Sequence, residues 1–233
     1  MKINRIVIAA ALLLIGFTSV SQSQRHHRGS DRLGEFYFGF DAVAPLGEFN
    51  KSADVHEEGK PIMPLDHESV GTSASLGLGL SFKYSFAFSI IDDQCSAGPF
   101  VGIDVAWNDL DKSVRKVFSD KSADRPNYIN MPIMIGANGR YYFNDVLGVS
   151  AEFGLGGDML FVTHQGWSGA QEDYENTFAL AWQVGAGAYF GRHVNVGVHY
   201  YSFGNHDIFI DKEHSKTYTK YMGALMFKLG FCW

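Results

Sequence analysis

What the chain lacks narrows it first. Beyond residue 23 no run of 18 or more apolar residues occurs, which excludes helical membrane spans. Basic residues are in deficit: 19 Lys and Arg against 25 Asp and Glu give a net charge of −6. Without the leader residues Lys2 and Arg5 the remainder stands two units lower, and a nucleic-acid partner would call for the opposite sign. Proline is scarce at 6, while glycine reaches 26 and aromatics 15%, a combination that suits strands, tight turns and close backbone approach. No glycine-rich phosphate loop follows a strand and opens a helix, and no histidine pair has metal-ligand spacing. We therefore expect no cofactor, no metal and no catalytic residues.

The N-terminus reads as an export signal. Lys2 and Arg5 form a positive segment, Ile6 to Phe17 an apolar one, and Ser21-Gln22-Ser23 supplies small residues for cleavage near Ser23. No cysteine lies near the cut, which argues against a lipid-modified anchor. Residues 1–23 are set aside as signal peptide, and 24–33 as a short polar lead-in. Cysteine is limited to Cys95 and Cys232 in a chain bound for an oxidising compartment, so one disulfide is a candidate.

What the chain has is alternation. From Ala74 to Ile90 one parity holds Ala74, Leu76, Leu78, Leu80, Phe82, Tyr84, Phe86, Phe88 and Ile90; the other holds glycine, serine, Ala87 and Lys83. A period of two is a strand with one apolar face. Its length outruns the usual five or six residues of a soluble strand and meets the roughly 9–11 of a strand crossing a bilayer. The rhythm recurs at about Gly34–Ala44, Pro99–Asn108, Tyr128–Tyr142, Leu147–Leu160, Thr177–Phe190, Val194–Tyr201 and Thr219–Trp233, giving eight strands over one domain, 34–233. Long polar connections (45–73, 109–127, 162–176, 202–218) alternate with short ones (91–98, 143–146, 191–193). That asymmetry matches barrels with long outer loops and short periplasmic turns. A tenth strand would require a hairpin inside the first long loop.

The minority face decides which side meets lipid. It carries small residues and isolated charges: Asp41, Lys83, Asp104, Arg140, Glu152, Asp158 and Lys228. That is too few charges for the whole exterior of a water-soluble barrel, and both signs are present, so the groups can pair in a narrow lumen. A lysine in Lys83's place facing the bilayer midplane would cost about 2–4 kcal/mol. We expect Lys83 to pair with Asp41 or Asp104 on a neighbouring strand. Aromatics fall in two girdles: Phe36, Phe86, Phe88, Phe143, Phe190, Phe231 and Trp233 near one rim, Trp107, Tyr200 and Tyr221 near the other. Pro132 interrupts the pattern, either at a bulge or among the first paired residues of its strand.

The C-terminal strand Phe227-Lys228-Leu229-Gly230-Phe231-Cys232-Trp233 resembles the terminal signal that outer-membrane barrels present to the barrel-assembly machinery. The run Asn130-Met131-Pro132-Ile133-Met134-Ile135-Gly136, followed by Arg140-Tyr141-Tyr142-Phe143, is similar to a strand–turn pattern of small porin-family, or outer-membrane β-barrel-domain, proteins. The Ala137-Asn138-Gly139 spacing departs from the tighter form of that pattern. The resemblance implies an all-β fold, a single eight-stranded antiparallel up-and-down transmembrane barrel in a Gram-negative outer membrane. It implies lipid and lipopolysaccharide around the wall, the assembly machinery as a partner during biogenesis through Phe227, Leu229, Phe231 and Trp233, and a monomer.

Three functions are weighed. The first is a non-enzymatic protein whose outer loops serve surface interaction or membrane integrity. The second is a narrow porin-like channel, or a carrier for small solutes or hydrophobic molecules. The third is a lipid-modifying enzyme. For the third, His199-Tyr200-Tyr201-Ser202 is the nearest arrangement, but its spacing of three puts the pair on different faces and His199 in the lumen. The loop histidines His56, His67, His164, His206 and His214 and the acids Asp54, Glu57, Glu58, Asp66 and Glu68 read as solvated side chains; the acids could also attract a divalent cation bridging lipopolysaccharide.

Overall fold

The computed structural model describes residues 34–50, 74–91, 94–109, 127–163, 172–174, 176–211 and 216–233. Residues 1–33, read above as export signal and lead-in, the histidines at 56, 67, 164 and 214 and the acids at 54–68 lie outside them. The strands are β1 (Glu35–Leu46), β2 (Gly77–Ser85), β3 (Phe88–Ile91), β4 (Cys95–Asn108), β5 (Asn127–Tyr142), β6 (Leu147–Thr163), β7 (Glu172–Tyr174), β8 (Thr177–Phe190), β9 (Val194–Asp211) and β10 (Lys216–Cys232). All pairings are antiparallel, and β10 pairs with both β9 and β1, so the sheet closes on itself. β2 and β3 pair with β4 in one register up to Ser89, so they form a single stave bent at residues 86–87. β7 extends the β8 stave against the far end of β9. The ten ladder segments are thus eight staves, and neither extra segment is a hairpin of the first loop.

Period-two chemistry orders the wall. Tyr37, Asp41 and Val43 of β1 are buried, while Phe40 between them is exposed; Ala181 and Gln183 of β8 are buried between exposed Leu180, Trp182 and Val184. The exterior is a continuous apolar surface, with Leu76, Leu78 and Leu180 at 79%, 73% and 81% exposure. Each such side chain left in water forgoes about 1.5–3 kcal/mol of burial, a pattern that soluble monomers limit to patches of a few hundred Å². The short turns are built by local bonds. Asn144 Oδ1 accepts from the N–H of Val146 and Leu147 at 2.8 Å each, and Gly191 takes φ +64 in the β8–β9 turn.

Three expectations are corrected. Residues 202–218 are not a simple loop: β9 and β10 run on to Asp211 and from Lys216. Alternation fails there because the β9–β10 register shifts between Met222 and Gly223 and between Tyr218 and Thr219, and Tyr201, Ser202 and Phe203 are buried in succession. Gly204 at φ +93 makes the bend, and a Cβ there would sit 2.3 Å from the Leu180 carbonyl oxygen. Ala74 is not on the exterior but fully buried, with its N–H donating to the Phe49 carbonyl at 2.9 Å. Pro132 sits neither at a bulge nor at a strand start. It is opposite Asp158 in an unbroken β5–β6 ladder, and the β4–β5 pairs instead lapse at Asp104 and Val105, where no proline N–H is available.

Candidate functional site in the barrel lumen

The inward faces of the eight staves stack into layers. At mid-height Lys228 Nζ donates to Asp104 Oδ1 at 2.7 Å, Ser81 Oγ at 2.7 Å and the Tyr201 hydroxyl at 2.9 Å. Tyr201 in turn donates to Asp104 Oδ2 at 2.6 Å, and Ser81 to Asp41 Oδ2. One ammonium therefore organises two carboxylates through two hydroxyl relays, with its three donors all used. Lys228 and Asp41 face each other across the β1–β10 ladder.

Lys83 does not pair with Asp41 or Asp104. Its ladder neighbours are Tyr37 and Gly102, neither of them acidic. The bare Gly102 leaves space, and Lys83 reaches across the lumen to Glu152 with its Nζ 5.0 Å from the Tyr37 ring centre and 5.4 Å from that of Phe100. Gln183 Nε2 donates to Glu152 Oε1 at 3.2 Å. His199 Nδ1 lies 3.1 Å from the same oxygen, but off the line a hydrogen bond needs. The space left among Tyr37, Lys83, Glu152, His199 and Lys228 is about 10 Å³, room for roughly one water.

Toward the short-turn end Arg140 Nη1 donates to Glu35 Oε2 at 2.5 Å, and its guanidinium lies 5.1 Å from the Tyr189 ring centre. Asn138 Nδ2 donates to Ser85 Oγ at 2.8 Å. Tyr37 folds over Gly39 and Gly230, where a Cβ would meet its ring at 2.9 Å or less. Cys95 and Cys232 are both free thiols. Cys95 shares its face with outward Tyr141, whereas Cys232 is buried among Tyr37 and Tyr189, three staves away. Three spacings of about 4.8 Å and opposite faces of the wall keep these Cα atoms far outside the roughly 7 Å of a disulfide.

Toward the long-loop end lies a group that the sequence hid. His206, read from sequence as a solvated loop residue, is fully buried on β9 beside fully buried Asp158. His206 Nε2 sits 3.0 Å from the Phe203 carbonyl, which can only accept, so this nitrogen carries the proton; it is also 3.1 Å from Asp158 Oδ2. Nδ1 then accepts from Thr177 Oγ1 at 2.8 Å. The break in alternation after Tyr201 concealed this cluster. His199 and Ser202, weighed for lipid chemistry, are both buried, with His199 turned to Glu152 inside the lumen.

Asp41, Asp104, Arg140, Asp158 and Lys228 are thus all buried inside the wall, with Lys83 and Glu152 beside them. Phe227, Leu229 and Phe231 of β10, and Trp233 just past its end, are exposed on its outside. The chain is a closed eight-stranded antiparallel β-barrel.

The chain matches no protein-family model and no curated protein sequence. Among solved structures it is similar to Ail, the attachment invasion locus protein of Yersinia pestis, in complex with the heparin analogue sucrose octasulfate: 12% identity, TM-score 0.42, over 86% of this chain and 97% of that one. Neisserial surface protein A is similar at 12% identity and TM-score 0.41, over 85% and 95%. The outer membrane protein OprG from Pseudomonas aeruginosa is similar at 11% and 0.40, over 89% and 99%.

Proposed function

We propose that this barrel resides in the outer membrane of a Gram-negative cell, exported by its N-terminal leader, and that it acts without catalysis through its long outer loops in surface interaction or membrane integrity. One observation carries the reading: an apolar exterior surrounds a lumen that side chains fill. The exterior suits lipid and lipopolysaccharide acyl chains, with Phe190, Phe231 and Trp233 toward one rim and Trp107 and Tyr221 toward the other; Tyr200, expected at that outer rim, instead lies opposite Val184 in mid-strand. The Tyr200 hydroxyl bonds at 2.8 Å to that of Tyr221, which lies nearer the long-loop end, so the polar tip of Tyr200 points toward that rim. The filled interior is what an eight-stranded barrel leaves, and it argues against the channel reading. The exposed alternating side chains of β10, ending on Trp233, support recognition by the barrel-assembly machinery.

Planar-bilayer recording tests the reading. The protein is expected to give no stable conductance; discrete steps that change on Lys83→Ala or Arg140→Ala substitution would favour the channel instead. Altered lipid A acylation on expression, lost in a His199→Ala variant, would favour an enzyme.

A further inference from the structure

Above the central charges the lumen is mainly apolar, with Asp158, His206 and Lys220 buried at its side. Leu160, Met222, Phe203 and Tyr128 are all fully buried there or within 1% of it, with Met134 and Met226 as a floor. The central occupant is not a barrel residue. Phe49 belongs to a three-residue 3-10 turn, Gly47–Phe49, that follows β1 and folds back into the mouth. Its ring meets Tyr128 edge-on at 5.7 Å and Phe203 at 6.4 Å between centres, and it is fully buried. Phe49 therefore fills an aromatic and methionine-lined niche from outside the ladder. Outside the ladder, the Ala74 N–H donates to the Phe49 carbonyl at 2.9 Å and the Tyr221 N–H to Glu48 Oε2 at 2.9 Å, holding the turn against the mouth.

A second observation is independent of the first. Around this niche fully buried polar atoms face inward unpartnered: both amide atoms of Asn130, Oδ1 of Asp158 and Oδ1 of Asn108. These residues form a diagonal across β4, β5 and β6, because Asn108 is opposite Tyr128, Asn130 is opposite Leu160, and Asp158 lies two residues before Leu160. An apolar plug needs none of them, and each costs stability while unsatisfied. A mainly apolar niche with a few convergent polar groups is the usual make-up of a small-molecule site.

We propose that the outer lumen binds a small apolar molecule bearing one neutral hydrogen-bonding group, such as a medium-chain alcohol, and that the Phe49 ring occupies the site in the ligand's absence. The unpartnered set both donates and accepts, as a hydroxyl requires, and the Asp158 carboxylate disfavours an anionic head group. Flexible methionines let the niche refit from a ring to a chain.

The test uses the full-length mature protein in phospholipid nanodiscs with methyl-labelled methionine, titrated with 1-decanol, decane or decanoate. Met131 and Met159 face each other on the outside of β5 and β6, half-exposed, and report simple bilayer partitioning. Met134, Met222 and Met226 report the niche. The expected result is saturable shifts at the inward methionines with decanol, weaker with decane and decanoate, over linear drift at Met131 and Met159. Phe49→Ala should lower the decanol half-saturation at least tenfold, and Asn130→Ala should erase the preference for decanol over decane. Phe49→Leu replaces the alanine variant if that one does not fold. Inward methionines that follow Met131 and Met159 in both wild type and the Phe49 variant would overturn the proposal.

Discussion

Replacing Lys228 by methionine is expected to remove about 3–5 kcal/mol of unfolding free energy, the usual cost of breaking a buried ion pair from one side. The reason lies in how many groups depend on a single ammonium. Asp104 loses its charge partner, and the Ser81 and Tyr201 hydroxyls lose the donor that orders them. Asp41, held only through Ser81, is left buried with no cation beside it. Changing Asp104 to Asn in the same chain should recover part of the loss, because one uncompensated charge is then removed. Urea titration in phospholipid vesicles, followed by tryptophan fluorescence, measures both. A change under about 1 kcal/mol for the single variant would mean that water or ions reach this layer and screen the carboxylates.

Val184→Arg is the second large effect. Val184 lies near the middle of β8, half-exposed on the outer face, opposite Phe153 and Tyr200 in the flanking staves. If the belt faces hydrocarbon, an arginine at that depth costs about 2–4 kcal/mol. In water the same change would fall within about 0.5 kcal/mol, as surface substitutions do. The same vesicle titration decides between them, and the two variants separate inside from outside: Lys228 probes the pairing of the lumen, Val184 the solvent around the wall.

Much of the wall was legible in the sequence because a barrel strand obeys one rule at every residue. From Glu35 to Val43, or from Phe178 to Tyr189, each second residue is inward, and alternating size and polarity state that directly. The seven inward charges follow from the same parity. Which charge meets which did not follow. Ladder neighbours are sequence-readable, but Lys83 bypasses its neighbours through the space above Gly102 to reach Glu152, a contact across the lumen that depends on barrel diameter and side-chain length. Local departures from the period were illegible for a related reason. The bend at Gly204 and the register shift at Met222 reset the parity, so Phe203 and His206 looked like loop residues when they are fully buried. The inward fold of Phe49 depends on a turn outside the ladder, and nothing in its local pattern distinguishes it from an outer-loop aromatic. The cysteines show the converse case: composition alone made a disulfide a candidate, but the parity of each strand sets Cys95 outside and Cys232 inside.

The claim on which the rest depends is that the exposed face of β8 lies in hydrocarbon while its other face is packed. Spin labels at single cysteines in a Cys95→Ser, Cys232→Ser background, at positions 180 to 184 in vesicles, test this directly. The prediction is an alternating profile. Labels at Leu180, Trp182 and Val184 should be open to oxygen and closed to a water-soluble nickel chelate, and those at Ala181 and Gln183 closed to both. Free access of the nickel chelate at Leu180, Trp182 and Val184 would show water on that face and contradict the membrane-spanning barrel.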